Sequence, residues 1–263
     1  NSPEYLTEHT AEESLKNTKE WLSEIPKDWQ NCKPILTPRF TPTCSDALME
    51  GLGKLAKEYK LPVQSHLSEN LGEIAWVKEL CPDAKHYGDT YDRYGLLENS
   101  IMAHCVYTEG DELSALKARG TMICHCPQSN TNLCSGAAPI RYFLEENVKV
   151  GLGTDVAGGA NLSMLRVITD AISVSKLRFR LMDQSLAPLT LEEAFCLATL
   201  SGGSFFGKVG SFLPGYEADA LVFHEKRRSV RKQTVKERLE VLLYTGEESA
   251  RLQAKFVQGR QLF

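Results

Sequence analysis

Several features that would make an assignment easy are missing from this 263-residue chain. It has no apolar run near the ~20 residues that a bilayer crossing needs, and Asn1 onward does not read as a secretory leader, so none is expected. The 30 Lys and Arg against 34 Asp and Glu leave a formal charge of -4, so there is no basic excess to attract nucleic acid or an anionic membrane. The one basic cluster, Lys226-Arg227-Arg228 with Arg231-Lys232, is broken by Ser and Val and reads as a solvated loop. Neither a Gly-x-Ser-x-Gly nucleophile elbow nor a phosphate loop of the Walker type occurs, and Gly151-x-Gly153 lacks the third glycine of a dinucleotide fingerprint. The eight cysteines include no Cys-x-x-Cys pair, which argues against a thiolate zinc site and makes a reducing cytosol the expected compartment. The opening Asn1-Ser2-Pro3 carries no methionine, the start expected of a processed or incomplete chain.

What is present is a strand and helix alternation. Thr10 to Glu13 reads as a capping box opening a helix to about Ile25, and Lys33 to Phe40 reads as a short strand with Ile35, Thr37 and Arg39 on one side. Ser45 caps a helix with Leu48, Leu52, Leu55 and Tyr59 on one face, ended by Pro62. Strands follow at Val63 to Leu67, Ser100 to Val106, Thr121 to Cys126 and Val148 to Asp155, with helices at Glu73 to Leu80, Asp111 to Arg119 and Pro139 to Glu146 between them. Five strands spaced in this way predict parallel pairing in an α/β fold. Leu162 to Leu181 predicts a long helix, and Thr190 to Glu193 a capping box starting another that runs through Leu200. After a boundary near Gly207, short apolar pieces such as Ala218 to Phe223 and Ala254 to Val257 predict a small β-rich unit.

The stretch Val148 to Gly159 (VKVGLGTDVAGG) organises the chemistry. Alternation puts Lys149, Gly151, Gly153 and Asp155 on one face, leaving space beneath a carboxylate at the strand end. Two readings stay open there: Asp155 serves a site, or the strand is a buried one followed by a glycine turn, with Asp155 capping the next helix through Asn161 or Ser163. In a parallel barrel all strand ends meet at one rim, so His66, His104 and Asp155 can converge. Two imidazoles and a carboxylate suit zinc or ferrous iron. Glu69, three residues past His66, is placed to shuttle protons, or else is an acid favoured in the first turn of a helix. Cys124-His125-Cys126 competes as a metal site, but on a strand the thiols share a face and His125 points away. No role falls to His9, His86 or His224.

The motifs TPRF (Thr37 to Phe40), SHLSEN (Ser65 to Asn70), MAH (Met102 to His104), HCPQSN (His125 to Asn130) and GLGTDVAGG (Gly151 to Gly159), with GSFLPGYEADALV from Gly210 and VQGR ending at Arg260, together resemble the amidohydrolase superfamily and, within it, the guanine deaminases. The resemblance implies a metal-dependent (β/α)8 barrel and a small β domain, with residues 1–208 supplying about the last five βα units and residues 209–263 part of the β domain. It implies one zinc per site, ferrous iron being the alternative, held by His66, His104 and Asp155. Arg39 and Phe40 would bind the purine together with His66, Glu69 and Asp155, and Glu69, His104 and Asp155 would carry catalysis. The implied reaction is attack of an activated water on C2 of guanine, releasing xanthine and ammonia in purine catabolism, in a cytoplasmic homodimer. The family's His-x-His pair on the first barrel strand is absent, so the resemblance also predicts an N-terminally incomplete barrel of reduced metal affinity. The alternatives are an aminohydrolase for a pyrimidine, triazine or modified nucleoside, and a non-catalytic relative.

Overall fold

A computed structural model describes residues 4, 7–26, 32–226 and 230–263; Asn1 to Pro3 and the Arg227-Arg228 part of the basic cluster lie outside the described residues. The chain is α/β, with one sheet of four strands in the order β1-β2-β3-β4 and a second of three in the order β5-β6-β7. Its residues divide into two compact units: one holds the chain to Ile123 with Asn147–Lys149, the other Cys124–Glu146 with Val150–Phe263. Among the described residues no helix is long and apolar enough to cross a membrane.

The first unit opens with α1 (Ala11–Glu24) and α2 (Asp46–Tyr59), followed by β1 (Val63–Leu67), α3 (Leu71–Leu80), α4 (Asp89–Asp92), β2 (Ser100–His104) and α5 (Gly110–Arg119), and reaches into β3 (Met122–His125). Thr10 caps α1 by accepting from the Glu13 amide, but the Glu13 carboxylate reaches past Thr10 to the His9 amide at 3.2 Å, so the expected box closes one residue early. Ser45 caps α2, whose buried face is Met49, Leu52 and Leu55, while Tyr59 at its end is exposed. The strand expected at Lys33 to Phe40 does not form. Pro34 and Pro38 remove ladder donors, which leaves a single parallel bridge from Leu36 to Val63. The predicted alternation survives this loss, since Leu36 and Pro38 are buried and Thr37 and Arg39 exposed. β1 and β2 pair in parallel from Val63 opposite Ser100 to Leu67 opposite His104.

In the second unit the order is α6 (Pro127–Asn132), α7 (Ile140–Glu145), β4 (Lys149–Leu152), α8 (Met164–Leu181), α9 (Leu191–Cys196), β5 (Ala220–Glu225), α10 (Val235–Thr245), β6 (Ala250–Val257) and β7 (Arg260–Gln261). β4 stops at Leu152, short of the expected Asp155. The helix begun by α9 continues as a π-helical turn over Leu197–Ser201. Within the predicted β-rich part, β5, β6 and β7 pair antiparallel, but α10 intervenes and buries Leu243 against Ile168, Ile172 and Ala194. Thr234 and Glu237 form its capping box, the pattern also seen at Thr190 and Glu193.

Glu193 does double duty. Besides closing the box on α9, it takes a two-pronged pair from Arg141 at 2.8 and 2.7 Å, and these bonds hold its carboxyl down at about 2. A lowered carboxylate contributes stability above its ordinary value, and that contribution is lost as pH falls from about 4.5 toward 2. Arg141→Ala is therefore expected to cost about 1–2 kcal/mol in urea unfolding at pH 7, after allowance for partial exposure, and much less at pH 3. An equal cost at both pH values would refute the pairing as the source of stability.

Candidate metal centre

The site begins where β1 and β2 end. In their register His66 lies opposite Ala103 and His104 opposite Leu67, so strict alternation would send the two imidazoles to opposite faces. His104 instead takes a left-handed backbone with φ of 72°, followed by Cys105 at 49°. The rings then stack, with centroids 5.3 Å apart and planes inclined by 19°. A left-handed conformation in a non-glycine residue costs about 1–2 kcal/mol, the kind of local cost that clusters at functional sites.

The His66 ring is oriented by its backbone neighbours. Its Nδ1 lies 2.6 Å from the Arg39 carbonyl, and because a carbonyl only accepts, Nδ1 carries the proton and Nε2 keeps the lone pair. That tautomer leaves Nε2 available to a metal, as oriented ligand imidazoles do. The Arg39 and His66 backbones are tied by a buried hydroxyl cluster. Ser65 Oγ donates to the Pro38 carbonyl at 2.7 Å, and Tyr91 Oη accepts from the Thr41 amide at 3.2 Å while donating to the His66 carbonyl at 2.9 Å. Burial pushes the Tyr91 phenol up to about 12, so it stays protonated and able to donate.

Arg39 is exposed, with its guanidinium carbon 5.1 Å from the centroid of the Phe40 ring. Phe40 also meets Trp76 edge-on at 6.0 Å and His66 at 6.5 Å. Glu69 places a carboxylate oxygen 3.7 Å from His104 Nε2, and His104 itself is 1% exposed. Predicted Arg39, Phe40, His66, Glu69 and His104 thus lie around one strand end of the first unit.

Asp155, in the second unit, sits beyond β4 with φ of 44°. It accepts from Ser129 Oγ at 2.5 Å, and its own carbonyl accepts from the Gly159 amide at 2.6 Å. The glycine turn therefore closes on Asp155 itself: a Cβ at Gly159 would lie 2.0 Å from the Thr154 carbonyl oxygen. Further along, Asn161 accepts from the Ser163 amide at 2.7 Å. At Gly153 a Cβ would stand 2.5 Å from Cys124 Sγ, so the packing under the glycine strand is done by thiols.

His66 and His104, in the first unit, and Asp155, in the second, supply a His/His/Asp donor set that could hold a metal ion. The donor chemistry fits a borderline divalent cation such as zinc. Cys124 and Cys126 lie on one face with sulfurs 4.0 Å apart, as alternation predicts, and they belong to no such set among the described residues. Reading the sequence missed Tyr91, Ser65 and Ser129, which brace the site without carrying its chemistry. Ser65 and Ser129 had a signal, as parts of SHLSEN and HCPQSN; Tyr91 had none.

The fold is α/β with a parallel sheet, and the amidohydrolase family profile matches residues 4–249: the chain belongs to the amidohydrolase family. Within it, the chain is similar to the guanine deaminase of Dictyostelium discoideum, 38% identical over 99% of this chain and 60% of the relative. It is also similar to the crystal structure of a guanine deaminase from C. acetobutylicum with guanine bound in the active site, at TM-score 0.94 and 44% identity over 100% of this chain and 63% of that one. An adenosine deaminase from Xanthomonas campestris with bound zinc shares the fold at TM-score 0.78 and 23% identity, over 95% of this chain and 56% of that one. The chain spans about 60% of the length of these relatives.

Proposed function

We propose that the chain performs, or forms the larger part of a protein that performs, hydrolytic deamination of guanine to xanthine and ammonia. One observation carries the reading: the stacked His66 and His104 pair, with the Glu69 carboxylate beside His104 and Arg39 with Phe40 at the same strand end. It is supported by the similarity to guanine deaminases of 38% and 44% identity. The reading extends the parallel sheet to a (β/α)8 barrel of which residues 1–208 supply the last units, with residues 209–263 in a small β domain.

In this proposal His66, His104 and Asp155 hold one zinc, ferrous iron being the alternative. When bound, such an ion supplies Lewis acidity that makes water a nucleophile near neutral pH. Asp155 orients and deprotonates the attacking water, with Ser129 fixing the carboxylate. Arg39 donates to the purine carbonyl, a charge-assisted bond, and Phe40 packs on the ring. Protonated Glu69 gives its proton to the ring nitrogen beside C2 as the C–O bond forms, then relays the water's second proton to the exocyclic amine as the C–N bond breaks; Asp155 then releases the first proton to solvent and Glu69 is reprotonated, which closes the cycle. Water and guanine are consumed, and xanthine and ammonia leave. A cytoplasmic homodimer acting in purine catabolism completes the proposal.

The test is conversion of guanine by the 263-residue chain supplied with zinc, following loss of guanine absorbance and identifying xanthine. Turnover of guanine at least about tenfold above that of pyrimidine and triazine substrates is expected, since a site bonded to one ring's polar groups leaves them unpaired with another. Absence of xanthine would defeat the reading for this chain.

A further inference from the structure

Two buried carboxylates lie behind Glu69 and have no place in the reaction just described. The chain leaves β1 at Leu67, and Ser68 turns it with a left-handed φ of 47°. Ser68 Oγ donates to Glu112 Oε2 at 2.8 Å, and Glu112, 5% exposed, also accepts from Thr108 Oγ1 at 2.7 Å and the Gly88 amide at 2.8 Å. One residue on, the Glu69 amide donates to Glu73 Oε2 at 3.1 Å, while the buried Tyr87 hydroxyl donates to Glu73 Oε1 at 2.6 Å. Glu73 is 8% exposed, and its burial raises its carboxyl above the usual range.

Helix capping alone does not account for this. α1, α9 and α10 each begin with a glutamate reaching back to a backbone amide, and Glu13, Glu193 and Glu237 do so while exposed or half-exposed. Burying a carboxylate is costly unless its oxygens are bonded, so α3 carries a penalty that capping does not require. Glu73 meets it with one hydrogen bond to Tyr87 and one to the residue that bears the proposed proton shuttle.

We propose that Glu73, set by Tyr87, is a positioning residue that holds Glu69 beside His104, with Glu112 anchoring the preceding Ser68. This rests on the role proposed above for Glu69. With both oxygens of Glu73 engaged, Glu73→Met, similar in length and without an acceptor oxygen, releases the Glu69 amide and the Tyr87 hydroxyl together, whereas Gln could satisfy both by donating its NH2 to the hydroxyl.

The experiment measures amide hydrogen exchange over residues 66–72 in the zinc-supplied chain, together with kcat and KM for guanine. Glu73→Met and Tyr87→Phe are compared with Glu13→Met, the exposed counterpart on α1. Glu73→Met is expected to raise exchange at Glu69 by about tenfold with α2 unchanged, and to lower kcat by about 10–100-fold with KM within about threefold, as expected when a group acting in the transition state is misplaced. Tyr87→Phe is expected to give a smaller effect of the same kind, and Glu13→Met none at Glu69 or in kcat. Unchanged exchange at Glu69, or exchange raised equally in α2, overturns the positioning role. Raised exchange at Glu69 with kcat unaltered overturns the link to catalysis. If the unmodified chain makes no xanthine, the reaction proposed above fails, while the exchange still decides whether Glu73 holds the Glu69 loop.

Discussion

Glu69→Gln is expected to lower guanine turnover by about 10²–10⁴-fold, the range associated with loss of a positioned general acid and base. Zinc content should be unchanged, because Glu69 lies beside His104 and is not one of the three metal-capable residues. The amide keeps the size of the side chain and can still accept a hydrogen bond, so packing is preserved while proton transfer is lost. KM should move by less than about threefold, since Arg39 and Phe40 remain to bind the purine. Turnover within about tenfold of the unmodified chain would remove Glu69 from the proton relay. A parallel loss of zinc would instead make it a ligand.

Much of this site was legible in the sequence, and the parts that were not have physical reasons. Helix starts were read where a capping side chain stood out, as at Thr10, Ser45 and Thr190, while the Asn70 cap of α3 went unread and that helix was placed from Glu73. The same signal at Thr234 was overlooked because the surrounding glycines and short apolar pieces suggested strands, although α10 stands among them. Periodicity overcounted strands at Lys33 to Phe40. It registers which side chains face inward, and Leu36 and Pro38 do, but it does not register that two prolines cannot complete a ladder.

His104 shows a deeper limit. Alternation along β2, read in register with β1, assigns it to the face opposite His66. A single left-handed residue reverses that assignment, and no residue type in MAHCVY announces it. The bracing groups were hidden for a related reason. Tyr91 and Glu112 lie 25 and 44 residues from the His66 and Ser68 atoms they hold, so their roles exist only after folding.

Asp155→Asn and His66→Ala are each expected to reduce the zinc the chain takes up from a zinc-supplied buffer, measured by elemental analysis, by at least about tenfold, because on the proposed ligand set one donor of three is lost. The asparagine variant is the sharper test. Its side-chain oxygen can still accept from Ser129 Oγ, which lies 2.5 Å from the carboxylate, so the loop is retained while the negative charge that the proposal assigns to metal binding is lost. Zinc should also be released on acidification, since imidazole and carboxylate ligands bind in their deprotonated forms. Cys124→Ser serves as the decisive comparison. The Cys124 and Cys126 sulfurs are 4.0 Å apart, close enough to chelate a soft cation if the histidines do not. Zinc retained in Cys124→Ser but lost in Asp155→Asn assigns the ion to the two histidines and the carboxylate. The reverse pattern would move the metal to the thiols and take with it the role proposed for Asp155 in activating water.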